Sequence, residues 1–382
     1  MTVNQIAQRQ IFNWLDFDIG AGNKVYFDQK DASYTALNRI WSGDPSVISG
    51  VLKANGQVIL INQNGIIFDH GAQVNVGSLV ASSLNIGDKD FLNPIFSQSL
   101  TESAAFTGSS GYIRVLDGAR LTTAKGGSIW LFAPNVTNSG LIQTEEGQVI
   151  LAAGHSVFLQ SSDDLGLLRG FLVEVNSGGG VTNTNLGQII ATRGNATLVG
   201  IAVNQNGRVS ATTSAILNGS IRLLARDTYT GKILKHITAS KTAANGNVDE
   251  HGKPLVPGVI LGVNSETSVT PELGSGLTSA DSQKFMPSTI DIYGHSVQVL
   301  DNAVVRAPSG IVNFTAANNP SSEKFGDNTA ARTPDIHVYF APGSVVDVSG
   351  TQKVALAMES NSIQANLQGA QLATHPCSIT VS

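Results

Sequence analysis

The sequence predicts an all-β protein: a right-handed parallel β-helix, wound as a single-stranded solenoid with extra-helical insertions. Three observations lead there. The composition is charge-poor and glycine-rich, with 13% charged residues, 41% apolar residues and 40 glycines among 382 residues. An average globular chain carries about 25% charge, so Lys, Arg and Glu are too scarce here to build solvated helix faces. Next, one unit recurs along the chain: a Gly, a short alternating strand, a second Gly and another short strand. Finally, Asn-Gly pairs punctuate the strands at Asn55, Asn64, Asn206, Asn218 and Asn245. Both residue types tolerate the positive φ of a sharp corner.

The repeat is clearest in GLIQTEEGQVILAAG (Gly140–Gly154) and GQIIATRGNATLVG (Gly187–Gly200), where the first two glycines stand seven residues apart. GARLTTAKGGSIWLFA from Gly118 carries one extra residue, GRVSATTSAILNGSIRLLA from Gly207 is a looser copy, and GSVVDVSG (Gly343–Gly350) repeats the spacing. Inside the units apolar residues alternate, as in Ile129 and Leu131, Val149 and Leu151, Ile221 and Leu223. Period two over so few residues reads as strand. In an antiparallel sheet Asn-Gly would signal hairpins. Copies that keep the same order and direction instead suggest coils of about 20 residues wound one way. Stacked about 4.8 Å apart, roughly a dozen coils would extend about 55 Å. A pair of β-sandwiches is the alternative use of the same strands.

The coil is expected from about Gly22 onward, with two interruptions. Gly87 to Gly108 contains Pro94 and no corner spacing, and Arg226 to Phe285 is longer and richer in charge, with TYTGKILKHI as a candidate hairpin. The expected division is therefore a first β-helical domain over 1–225, an extra-helical insertion over 226–285 and a continuing stem over 286–382. The last part reads as truncated, because QGAQLATHPCSITVS offers nothing to cap an open strand edge.

Several function classes are disfavoured. The net charge of −5 and the lack of a basic cluster argue against nucleic acid. The single cysteine, Cys377, allows no disulfide within the chain. The charge-free run from Gly126 to Thr144 is broken by Pro134 and two asparagines, which is wrong for a lipid-facing span. MTVNQIAQRQIFNWLDF lacks the basic and apolar regions of a signal peptide. The seven histidines have no metal-type spacing, and Asp16, Asp18, Asp28 and Asp31 lack the loop of an EF-hand. No metal and no cofactor is expected. Glu145-Glu146 and Asp163-Asp164 are the acidic pairs to weigh for glycoside hydrolysis, which needs carboxyls roughly 5–9.5 Å apart. Strand neighbours point to opposite faces, and no charged residue recurs in obvious register with either pair. The expectation is that the chain is not an enzyme. SGGG at Ser177–Gly180 reads as a corner, since no helix follows a strand there to cradle phosphate.

One longer pattern remains. NRIWSGDPSVISGVLKANGQVILINQNGIIFDHGAQVNVGSLVASSL (Asn38–Leu84) resembles the amino-terminal secretion, or haemagglutination activity, domain of filamentous haemagglutinin-type exoproteins. These are the cargo proteins of bacterial two-partner secretion. RQIFNWLDFDIGAGNKVYFDQKD (Arg9–Asp31) looks like that domain's first strands. The resemblance covers roughly the first 160 residues, and later coils such as FAPGSVVDVSG look like the stem that follows. The family usually has Asn-Pro-Asn-Gly at the turn; here it is Asn62-Gln63-Asn64-Gly65. Gln63 gives up the fixed φ of proline and gains an N–H. The turn is expected to hold because Asn64 and Gly65 carry the special φ.

The resemblance implies export. The chain would bind the periplasmic domains of a dedicated outer-membrane transporter, cross it unfolded and fold outside as a secreted, surface-associated protein. Asn55, Gly56, Asn62, Gln63, Asn64, Gly65 and Asn75 would form the recognition and nucleation motif. An adhesin of this type would meet host-cell or bacterial surface receptors or glycans through its insertions. Two alternatives stay open: the amino-terminal part of a contact-dependent growth inhibition toxin carrier, and a carbohydrate-active β-helix enzyme. The missing signal peptide and the abrupt tail depart from the family and suggest a fragment, a truncated gene or a late start.

Overall fold

A computed structural model describes residues 1–92, 104–161, 170–176, 179–214, 217–226, 258–272, 287–317 and 336–351. Its strands fall into three long parallel sheets and one small antiparallel sheet. One coil shows the rule: Ser46–Ile48 lies in the third sheet, Val51–Ala54 in the first and Gln57–Asn62 in the second. The next coil repeats it with Ile66–Phe68, Gln73–Val76 and Ser78–Ser82. Every strand pairs in parallel with its counterpart one coil away, because the chain returns to each sheet in the same direction after each full turn. The sheets hold eleven, ten and nine strands. Eleven strands at about 4.8 Å span roughly 50 Å.

The register stacks like on like. Val58, Leu79, Ile129, Val149, Ala196, Ile221 and Ile290 form one column through the bore of the second sheet. Leu60, Ala81, Leu131, Leu151, Leu198, Leu223 and Ile292 form the next. All are essentially sealed from solvent. Each large aliphatic side chain so buried is worth about 1.5–3 kcal/mol relative to exposure.

The middle strands of the second sheet, from Ser78–Ser82 to Asn195–Gly200, are buried on both faces. The sheet's outward residues, among them Ile59, Val80, Trp130, Phe132 and Ile150, form a second core distinct from the bore. The cover is the antiparallel sheet of Asn85–Ile86, Ala104–Thr107, Ser156–Ser161 and Phe171–Asn176. Phe106 meets Phe132 edge-on at 5.0 Å between centroids, and Phe171 meets Trp130 at 5.1 Å. Only part of this cover was anticipated. Strands Ser156–Ser161 and Phe171–Asn176 fall where coil is expected, whereas they pair antiparallel with each other over the stem.

Three further expectations need correction. The coil begins well before Gly22: Thr2–Asn4 already pairs with Lys24–Asp28, and Arg9–Trp14 with Thr35–Ile40. The insertion assigned to 226–285 is not continuous, because Gly258–Leu261 and Glu266–Pro271 are ordinary rungs of the third and first sheets. Val259, Leu261 and Val269 face the bore there, and the period-two apolar pattern outweighs the surrounding charge. The flanks 227–257 and 273–286, with the TYTGKILKHI stretch, Asn245 and the tail from 352, lie outside the described residues.

The third correction concerns the glycines. Of the Asn-Gly pairs in the described residues, only Gly65 has positive φ, at 117°. Gly56, Gly207 and Gly219 are required for space: an added Cβ would sit 2.6 and 2.1 Å from a carbonyl oxygen of the neighbouring coil at the first two, and 2.5 Å from Thr212 O of its own coil at Gly219. The seven-residue spacing of Gly140–Gly147 and Gly187–Gly194 has the same origin, since each pair brackets one first-sheet strand between two crowded corners, whereas Gly350 stands in open space. At the corner into the second sheet, Gly127, Gly147 and Gly194 stack so closely that a Cβ would fall within 1.8–2.2 Å of the carbonyl below. The left-handed residues at that corner are Gly126, Glu146 and Arg193, one position earlier.

Candidate functional site

The turn Asn62–Gly65 joins the second sheet to the third. Strand Gln57–Asn62 ends by burying Asn62 completely. Its Oδ1 accepts from Asn64 N at 2.9 Å, a local bond that shapes the turn. Its Nδ2 donates to Ser42 Oγ, Asp44 O and Ser46 Oγ at 3.2, 3.0 and 3.1 Å, tying this turn to the preceding coil. Gly65 N donates to Asn62 O at 2.9 Å, and Asn64 Nδ2 donates to Ser42 O at 2.7 Å. On the following coil Ser110 Oγ donates to Gln63 O at 3.0 Å. Asn64 does not share the positive φ expected of it; Gly65 alone carries it. A Cβ at Gly65 would also stand 2.7 Å from Tyr112 O.

The other motif residues lie elsewhere. Asn55 and Gly56 form the corner from the first sheet to the second. Asn55 Oδ1 accepts from Gln29 N at 2.9 Å, and its Nδ2 donates to Gln29 O. Gly56 N donates to Gln29 Oε1 at 2.8 Å, and Gln29 Nε2 donates to Gln5 Oε1 at 2.8 Å. This amide ladder closes the first three coils. Asn75 stands on the open face of the first sheet, between Lys53 and Thr122 of the adjoining strands, and is exposed. The seven residues are thus divided among two corners and one outer face. Within the turn, Gln63 and Asn64 are exposed and Asn62 is buried.

The sequence reading passed over Arg39 and Trp41 beside this turn. Trp41 is 62% exposed, with its Nε1 donating to Asn13 Oδ1 at 3.1 Å. Arg39 donates from Nη2 to Ile86 O at 2.8 Å and pairs with Asp88 at 2.6 Å. The signal was the Trp that ends the run NRIW, a position where a strand leaves the core.

Glu145-Glu146 also differ from expectation. Cross-coil register does bring charge to them: Arg193 binds Glu145, Glu146 and Glu272 together, and Lys125 binds Glu146 at 3.1 Å. Burial pushes the Glu146 carboxyl up, but hydrogen bonds from Lys125 and Arg193 outweigh it and hold it below its ordinary value. The hydrogen bond to Glu272, opposed by burial, raises the Arg193 guanidinium. The carboxylates are committed to a corner clasp. Asp163-Asp164 lie outside the described residues. Among the described residues no group of three or more His, Cys, Asp or Glu is placed to hold a metal ion.

Fold and corner together define a parallel β-helix whose singular residues sit in its amino-terminal turns. Residues 1–167 match the family described as TPS secretion domain. A stretch of 86 residues, 22% of the chain, is 42% identical to the heme/hemopexin-binding protein of Haemophilus influenzae strain Rd; a second H. influenzae protein of that name is 40% identical over 86 residues. These matches span about a tenth of the relatives' own length, 10% and 9%. Two solved structures are similar in outline. The HMW1 secretion domain of H. influenzae aligns over 89% of this chain and 91% of its own, with TM-score 0.49 and 19% identity. A filamentous hemagglutinin secretion domain aligns over 90% of each, with TM-score 0.41 and 12% identity.

Proposed function

We propose that residues 1–167 direct this chain through a partner outer-membrane transporter as the leading part of a secreted exoprotein. The match of this span to the TPS secretion domain carries the reading. The fold supports it physically. Each coil needs contacts only with its neighbours, so the chain can fold progressively as it emerges. The only cysteine of the sequence is at position 377, so no internal cross-link obstructs threading.

Within this reading Asn55, Gly56, Asn62 and Gly65 nucleate the first coils, and Gln63, Asn64 and Asn75 supply side chains for contact with the transporter. The exoprotein acts as an adhesin at a cell surface. Binding of heme or hemopexin belongs to the relatives by name; no separate feature here favours it.

The test is secretion. The chain is placed behind a cleavable signal peptide and expressed with and without its partner transporter. Appearance in the medium only with the transporter is expected. Equal release without it, or retention in its presence, overturns the proposal. Replacing Gln63 by Ala leaves every described side-chain bond of the turn intact, so reduced export with normal folding would mark Gln63 as a contact residue. Undiminished export would remove it from that role.

A further inference from the structure

We propose that the cleft between Trp41 and the Asn62–Gly65 turn binds one neutral saccharide ring. The site does not depend on the export reading, and it lies on the coil itself and not on an insertion. It crosses three successive coils where the second sheet ends. Trp41 and Ser42 follow strand Thr35–Ile40, Gln63 and Asn64 follow Gln57–Asn62, and Asn85 follows Ser78–Ser82. The third coil leaves the stem at Asn85 toward the side sheet, and this departure opens a cleft of about 170 Å³. Sites for drug-sized ligands measure roughly 300–1,000 Å³, so this one suits a single ring.

The lining explains the ligand class. Trp41 presents an apolar face at 62% exposure, held in place through its bond to Asn13. An indole so fixed is a platform for the C–H face of a sugar. Around it stand polar groups with unused capacity. Among the described residues Gln63 makes no side-chain bond, Asn64 uses only Nδ2 and Asn85 uses only Oδ1. Among the described residues Arg39 Nη1 makes no hydrogen bond, and Nε is buried without a partner. Asp88 already neutralises the Arg39 charge at 2.6 Å, which favours an uncharged ligand over an acidic one.

An added peptide strand fits less well. The backbone around the cleft is already engaged: Trp41 N donates to Trp14 O, Asn64 N to Asn62 Oδ1 and Gly65 N to Asn62 O. A strand would find no ladder there, whereas ring hydroxyls can use the free side-chain amides.

The experiment is ligand-observed saturation-transfer NMR on the purified chain with lactose, maltose and N-acetylglucosamine. A Kd on the order of millimolar is expected for one ring. Trp41→Ala should weaken binding at least about tenfold and Gln63→Ala about threefold, whereas Leu15→Ala, which removes an exposed side chain outside the cleft, should change nothing. Thermal unfolding checks that each variant is folded. If Trp41→Ala fails to fold, Gln63→Ala and Asn85→Ala decide, and unchanged binding in both overturns the proposal. Absence of transfer to all three sugars in the unmodified chain, or equal transfer to Trp41→Ala, does so as well.

Discussion

The first and second sheets are wound from the same coils and line the same bore, yet their sequences differ. First-sheet strands alternate: Gln73–Val76 and Leu141–Glu145 place Val74, Val76 and Ile142 inward and Gln73, Asn75 and Gln143 in water. Second-sheet strands such as Ile129–Ala133 and Gln148–Ala153 are buried at every position. The coil imposes only one apolar face on a strand. The second face becomes apolar when something covers it, and the side sheet covers the second sheet alone.

The sharpest way to break this comparison is to empty the outer core. Trp130 is 1% exposed and contacts Phe132 and Phe171. Trp130→Ala should cost about 3–5 kcal/mol. Hydrogen exchange should accelerate first in Ser156–Ser161 and Phe171–Asn176, with the bore strands still protected. The control is Gln188→Ala on the open face of the first sheet, expected within about 0.5 kcal/mol of the unmodified chain. Equal losses in both variants would show that the side sheet adds little to the second sheet.

The same contrast explains what was legible in the sequence. Alternation in the first sheet and the stacked pairs Ile129/Leu131, Val149/Leu151 and Ile221/Leu223 exposed the coil. The cover was harder to see, because HSVFLQS and GFLVEVN are themselves alternating strands and nothing local distinguishes a rung from an antiparallel excursion. The corners were located correctly but explained wrongly at Gly56 and Gly207, where the need is room beside a neighbouring carbonyl. That need arises from the adjacent coil and cannot be read within one turn. Asn62–Gly65 was legible as a turn. Its separation from Asn55 and Asn75, and its proximity to Arg39 and Trp41, emerge only when coils stack.

A smaller effect separates the buried and exposed halves of the turn. Asn62→Asp replaces an amide that donates to Ser42, Asp44 and Ser46 with a group that only accepts, next to the Asp44 carbonyl. It should cost about 1–3 kcal/mol, measured by denaturant midpoint. Gln63→Ala should cost almost nothing by the same measurement. An Asn62→Asp variant as stable as the unmodified chain would show that the donor role of Asn62 is not needed to hold the turn.

The smallest expected effect distinguishes the two ends of a first-sheet strand. Glu146 sits at the corner where the first sheet passes into the second, clasped by Lys125 and Arg193, with a side chain 21% exposed. Its carboxyl is held below the ordinary value of 4.5. In acid the unfolded chain therefore takes up this proton at a higher pH than the folded chain does. The stability it contributes is complete above about 4.5 and disappears as the pH falls through the lowered folded value. The raised Arg193 works in the opposite sense, losing its contribution only in strong alkali, so it leaves the acid limb unchanged. Glu146→Gln should then be less stable than the unmodified chain by about 0.5–1 kcal/mol at neutral pH. The gap should close on acidification, because the unmodified chain then carries a neutral carboxyl where the variant carries an amide. Asp31, Asp69 and Asp347 also have lowered carboxyls, but they titrate alike in both proteins and cancel from the difference. Thermal unfolding of the pair from pH 7 to pH 3 reads the gap directly. A gap that stays constant across that range would mean the clasp stabilises through packing of the Arg193 and Lys125 stems and not through the Glu146 charge.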